Sequence, residues 1–305
     1  MGLLEAIILA VLAASTPLLL AATGELVTER AGVLNLGVEG MMIVGAACGF
    51  AGAWLTGSVI VGAICGMLAG VVLSLVFALM TLALAVNQVA AGLALTILGT
   101  GVSGLIGSRF VGEKITTAPK LYIPGLTDIP FAGRILFGQD AFVYLSLALI
   151  IGASWFLYRT RGGLILRAVG DNHASAHALG YPVLRIRMFA VMFGGACAGL
   201  AGAYLPLAYT PFFIPGMTAG RGWIALALVV FSSWLPGRLV IGAYLFGAVT
   251  ILQLHAQGAG LGIPSQFMTA LPYLATVIVL VLISRARTGG STAPAALGTV
   301  FVPDR

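Results

Sequence analysis

From Gly40 to Ser108 the chain runs 69 residues without one Asp, Glu, Lys or Arg. A soluble fold cannot use such a stretch, because about a quarter of a globular protein's residues are charged. Three more uncharged runs follow, at 141–158, 188–220 and 239–284. A helix that crosses a bilayer needs about 20 mostly apolar residues, so the chain has material for about nine spans. Only helices and closed barrels satisfy their backbone polar groups in lipid, and these runs lack the two-residue alternation of barrel strands. The expectation is therefore an all-α, polytopic transmembrane helical bundle. Its spans fall near 3–23, 33–55, 58–82, 88–107, 141–158, 187–210, 222–236, 239–256 and 270–284.

Composition agrees, with 60% hydrophobic and 8% charged residues. The small-xxx-small spacings Gly45/Gly49, Gly62/Gly66/Gly70 and Gly195/Gly199 allow close helix approach in lipid. The run at 222–236 is short and ends in Trp234-Leu235-Pro236-Gly237, the pattern of a half-helix. Cys48, Cys65 and Cys197 all lie inside apolar runs without ligand spacing and read as packing residues. Glu5 and the lack of a basic leader make the first run a retained span.

A net charge of +6 from 13 arginines and two lysines would suggest nucleic acid in a soluble protein. Here the basic residues cluster between spans, which is a topology signal, and no nucleic acid is expected. The 159–187 segment carries Arg159, Arg161, Arg167, Arg185 and Arg187 against the single acid Asp171, so it is placed inside the cell. Arg285 and Arg287 place the end of the last span inside too. Counting back puts the N-terminus outside. The 108–140 segment, broken by Pro119, Pro124 and Pro130, is then an external loop despite its own basic residues. Residues 1–287 form the transmembrane domain. The tail at 288–305, rich in Thr, Ala, Gly and Pro, is expected to be disordered.

Two polar clusters interrupt this pattern. The first, from Glu25 to Met42, contains Arg30, Asn35 and Glu39. A carboxylate several residues into an apolar run is costly and is a functional-site candidate; the alternatives are that Glu39 pairs with Arg30 or caps a helix start. The second, from Leu166 to Pro182, offers Asp171 or Asn172 as a helix cap, then Ala174 to Leu179 as helix formers, then Gly180 and Pro182 as the stop. A helix of about two turns is unstable alone and has to dock on something. His173 and His177 have the i, i+4 spacing of a metal pair, but Asp171 is the one candidate for a third ligand, so no metal site is expected. Asn87 either caps the helix that follows or faces a pathway, as does Gln88. Arg221, flanked by Gly220 and Gly222, either anchors at an interface or contacts a solute or a delivering protein. His255 and Gln257 read as interfacial.

The run Thr28-Glu29-Arg30-Ala31-Gly32-Val33-Leu34-Asn35-Leu36-Gly37-Val38-Glu39-Gly40-Met41-Met42 resembles the hallmark of permease subunits of bacterial ABC importers. Within the branched-chain amino acid and ribose permease family it is closest to the nucleoside and simple-sugar branch. Arg167–Gly180 resembles that family's cytosolic coupling loop. Asn87–Ala94 and Pro215–Gly222 are also similar to family patterns, and the four matches lie in order. Two positions depart: His173 stands where proline is usual, and Thr96 where asparagine is common.

The resemblance implies a multi-pass protein of the bacterial cytoplasmic (inner) membrane that imports nucleosides or simple sugars. It implies two ABC ATPase subunits, a second permease subunit of the same or a similar chain, and an external solute-binding lipoprotein as partners, besides membrane lipid. It also implies that Asp171, Asn172, Ala174, Ala178, Leu179 and Gly180 couple the permease to its ATPase. No phosphate-binding Walker run occurs in the sequence, so ATP and Mg are expected in the partner subunits, with no catalytic residue and no cofactor here. Branched-chain amino acids are the alternative cargo. An ATP-independent secondary transporter is the alternative class, and would need coupling charges in its spans beyond Glu39.

Overall fold

The computed structural model describes residues 2–129, 132–258 and 293–302, with single helical positions at 267, 270, 271, 274, 277, 278 and 281. The chain folds as α1 (Leu3–Arg30), α2 (Val38–Thr56), α3 (Val59–Ala78), α4 (Gln88–Gly107), α5 (Ala132–Phe137), α6 (Ala141–Arg159), α7 (Arg161–Asp171), α8 (His173–Ala178), α9 (Val183–Tyr204), α10 (Arg221–Phe231) and α11 (Pro236–Gly258). Wider π turns extend α3 through Leu79–Ala83 and α9 through Leu205–Tyr209.

Among the described residues, seven helices are long and apolar enough to cross a membrane. The reading of about nine spans is close but needs adjusting at two places. The run at 222–236 becomes α10, only 11 residues long. At 1.5 Å per residue it reaches about half of a 30 Å hydrocarbon layer. The run at 270–284 lies largely outside the described residues.

α2, α3 and α9 form the centre, and their glycine faces set the spacing. A Cβ at Gly66 would stand 2.7 Å from the Gly45 carbonyl oxygen, and one at Gly70 would stand 2.8 Å from Gly199 Cα. The backbones therefore touch directly, as small-residue faces permit. α1 runs antiparallel to α9, with Thr28 Oγ1 donating to the Ala190 carbonyl and Tyr204 Oη donating to the Ala13 carbonyl. Leu19, Leu26, Phe77 and Tyr204 belong to the main core.

The loop between α4 and α6 folds back over one end of the bundle. Ile115 N donates to the Pro211 carbonyl and Ala118 N to the Leu207 carbonyl, while Asp140 caps α6. At the opposite, arginine-rich end one short helix was expected; the structure has two, α7 and α8, joined at Asn172. The tail also departs from expectation there. Residues 293–302 are docked, with Ala296 buried and Leu297 packed on the main core, because their turns find backbone partners on Gly170 and Gly32.

Candidate functional site: two broken helices and an arginine-rich loop

Residues 31–37 leave α1 through a turn and irregular backbone before α2 begins, yet Val33 and Asn35 are fully buried. Non-helical backbone at such depth requires partners from the protein itself. Leu34 N donates to Gln88 Oε1 at 2.8 Å, Asn35 N to Glu25 Oε1 at 3.2 Å, and Gly37 N to Asn35 Oδ1 at 3.0 Å. Thr96 Oγ1 donates to the Leu36 carbonyl at 3.2 Å. The polar residues that stand out in the sequence thus replace the helix hydrogen bonds this segment gives up.

A second irregular stretch, residues 210–220, precedes α10, and the two breaks meet at Glu39. Its carboxylate accepts from Thr218 Oγ1 at 2.6 Å, Gly220 N at 2.9 Å and Gly222 N at 2.6 Å. A helix N-terminus presents unpaired N–H groups and positive potential, so a carboxylate there is doubly favoured. Gly220 reaches this turn at φ +79°, and Gly222 has no side chain in the way: a Cβ would lie 2.6 Å from Glu39 Cα. Glu39 itself lies in the first turn of α2, beside the middle of α4, where Gly40 meets Gly99. The junction therefore sits deep in the bundle.

Glu39 does not pair with Arg30. Arg30 Nη2 donates to the Trp234 carbonyl at 2.9 Å and to Tyr158 Oη at 3.1 Å, at the other end of α10. Trp234 holds φ +57° after Ser233 at +54°, a left-handed pair that costs about 1–2 kcal/mol per residue. Its Nε1–H donates to Glu29 Oε2 at 2.5 Å, which helps to fix the turn. Arg221 begins α10 inside the bundle instead of at a span's outer end. Its Nη1 donates to the Met217 and Thr218 carbonyls, and its guanidinium lies 5.9 Å from the Tyr209 ring centroid. Asn87 caps α4, accepting from Val89 N and Ala90 N.

At the arginine-rich end, Asn172 rather than Asp171 is the cap of α8, accepting from Ser175 N at 2.9 Å; Asp171 closes α7. Gly180 takes φ +86° and stops the helix. Ala174, Ala178, Leu179 and Gly180 are exposed, while Ala176 faces inward against Val169 and Val183. His173 and His177 both lie edge-on to Phe301, at 5.0 and 5.3 Å between ring centroids.

Sequence reasoning counted Arg187 among the topology charges, but it is fully buried. Its Nε donates to the Ala31 carbonyl and its Nη1 to the Thr299 carbonyl, both at 3.1 Å, and its Nη2 lies 3.3 Å from His173 Nδ1. Burial, and then this guanidinium, lower the His173 pKa from its ordinary value, so the imidazole faces Arg187 as a neutral acceptor. Thr218, Glu25 and Trp234 were missed as well. Each had a signal: Glu25 opens the first polar cluster, Thr218 stands two residues before the Gly220-Arg221-Gly222 run, and Trp234 begins the Trp234-Leu235-Pro236-Gly237 helix end.

A bundle that is apolar in its spans, broken twice at depth and finished at one end by short docked helices has the build of a membrane transport protein. The chain belongs to the family described as Branched-chain amino acid transport system / permease component, which it matches over residues 7–286. It is 43% identical over 289 residues to a Haloferax volcanii protein named "Putative glucose ABC transporter permease protein TsgC13", covering 88% of each chain. It is 31% identical to the Guanosine ABC transporter permease protein NupQ of Bacillus subtilis, over 98% of this chain and 97% of the relative. The Nucleoside ABC transporter permease protein NupC of Lactococcus lactis is also 31% identical, over 99% and 98%. The fold resembles a solved structure described as an inward-facing conformation of a putative metal-chelate type ABC transporter. That likeness has a TM-score of 0.54 at 17% identity and covers 91% of this chain and 85% of the other. The protein is a multi-pass inner-membrane permease subunit of an ABC transporter, a class that works with ATPase and permease partners.

Proposed function

We propose that this permease imports a neutral, hydroxyl-rich solute, a nucleoside or a simple sugar. The observation that carries the reading is the occupied N-terminus of α10. In transporters with broken helices, such a terminus commonly holds an anionic group of the substrate. Here Glu39 takes the Gly220 and Gly222 N–H groups and brings its own negative charge to the start of α10, which disfavours a solute carboxylate at the junction. The names of the relatives, for glucose, guanosine and nucleosides, point the same way.

In this reading the arginine-rich end is cytosolic. Exposed Ala174, Ala178, Leu179 and Gly180 on and beside α8 meet an ATPase subunit, one for each of two permease chains, and ATP and Mg are bound in those subunits. Nucleotide-driven closure of the ATPases moves α7 and α8, and the bundle alternates between outward and inward access. An external solute-binding lipoprotein delivers cargo to the end covered by residues 108–140.

The test is uptake of labelled guanosine, glucose and leucine in cells that carry the complete transporter. Saturable uptake of guanosine or glucose, lost when the partner ATPase is inactivated, is the expected result. Saturable uptake of leucine alone would place the cargo with branched-chain amino acids; uptake that ignores the ATPase would indicate a secondary transporter.

A further inference from the structure

Residues 293–302 dock where three separate parts of the fold converge. Ala296 N donates to the Gly170 carbonyl at the end of α7, and Gly298 N donates to the Gly32 carbonyl where the irregular segment 31–37 begins. Phe301 covers both histidines of α8 and packs with the Val169, Ala176 and Val183 cluster. Buried Arg187, on α9, binds the Ala31 carbonyl, the Thr299 carbonyl and His173 together. Gly32 allows this convergence: it sits at φ +84°, and a Cβ there would come within 2.8 Å of Arg187 Nη2.

α8 needs such a connection if it is to act as a lever. It has six residues, is linked along the chain to α7 by Asn172 and to α9 by a turn, and buries only Ala176, against Val169 and Val183. A helix that short has little stability of its own. Pushed from outside, it would yield locally and the displacement would be lost before it reached the broken helices. Coupling across a structure requires an element that both sites bias.

We propose that residues 293–302, clamped by Arg187, are a transmission strap that joins α8 to the start of the 31–37 break. Movement of α8 is thereby delivered to the Ala31–Gly32 corner, and from there to the segment that ends at Glu39. Arg187 is a positioning residue: it holds the strap, the helix and the corner in one arrangement. The strap rests on the reading of α8 as the ATPase-docking helix, and the experiment separates the two.

The complete transporter is reconstituted in proteoliposomes, and ATP hydrolysed per solute imported is measured for Phe301→Ala, Phe301→Tyr, a chain ending at residue 292, and Ala178→Trp. Loss of one ring contact weakens a docking equilibrium by about two- to tenfold. Phe301→Ala is therefore expected to keep the ATPase bound while raising ATP used per solute several-fold. Phe301→Tyr restores the ratio, and the truncated chain shows the larger defect. An unchanged ratio in Phe301→Ala overturns the strap, and so does loss of the ATPase from that variant, which would make the segment part of the docking surface. Should the truncated chain fail to insert, Phe301→Ala and its rescue decide alone. Ala178→Trp tests the underlying reading: loss of the ATPase there with a normal ratio in Phe301→Ala removes the strap only. Retained ATPase and uptake in Ala178→Trp remove the docking helix and the strap together.

Discussion

At the scale of a residue, Glu39 shows how one carboxylate can hold a broken membrane helix together. It accepts two backbone N–H groups and one hydroxyl, and all three come from the start of α10. Glu39→Gln keeps the shape but turns one acceptor oxygen into an NH₂ group that faces an N–H donor. A hydrogen bond to a charged group contributes about 1.5–3 kcal/mol, so Glu39→Gln is expected to destabilise the bundle by about that amount. Thermal unfolding in detergent reads this, with solute preference unchanged. A shifted preference at normal stability would instead place Glu39 in the pathway. The cost of a charge inside an apolar run made Glu39 legible in the sequence. Its partner was not legible, because Thr218 to Gly222 lie about 180 positions away and nothing local selects one helix start over another. Arg187 was hidden for the opposite reason: one more arginine in a basic segment looks like a topology charge until burial is known.

At the scale of elements, the long spans and their glycine faces were readable because apolar length and small-residue spacing are local properties. The breaks were not. Residues 33–37 are as apolar as a helix, and they stay non-helical because Gln88, Glu25 and Asn35 bind their N–H groups and Thr96 binds the Leu36 carbonyl. Residues 293–302 were misread because the lack of a periodic apolar pattern says nothing about turns that find partners elsewhere. α2 and the half-helix α10 depend on close approach at Gly222. Gly222→Ala would put a methyl group against Glu39 Cα, where backbone rather than a flexible side chain has to yield. Overpacking of this kind costs about 1–3 kcal/mol. Gly222→Ala is expected to lower both thermal stability and uptake while the variant still inserts, and normal uptake at normal stability would show that α2 and α10 do not need this contact.

At the scale of the molecule, the chain is a permease whose deep junction and arginine-rich end are mechanically continuous: Glu39 at one end of the 31–37 segment, Gly32 and Arg187 at the other, α8 beyond them. On the proposed reading of α8 as the ATPase-docking helix, a substitution confined to α8 should control transport while every span keeps its sequence. The direct measurement is ATPase co-purification and solute uptake in Ala178→Trp, set against permease abundance in the membrane. Ala178 is exposed and outside every span, so a bulky side chain there leaves the fold intact and bars close docking. The expected result is a normal amount of permease with the ATPase lost and uptake abolished. Full uptake with the ATPase still attached would contradict the account.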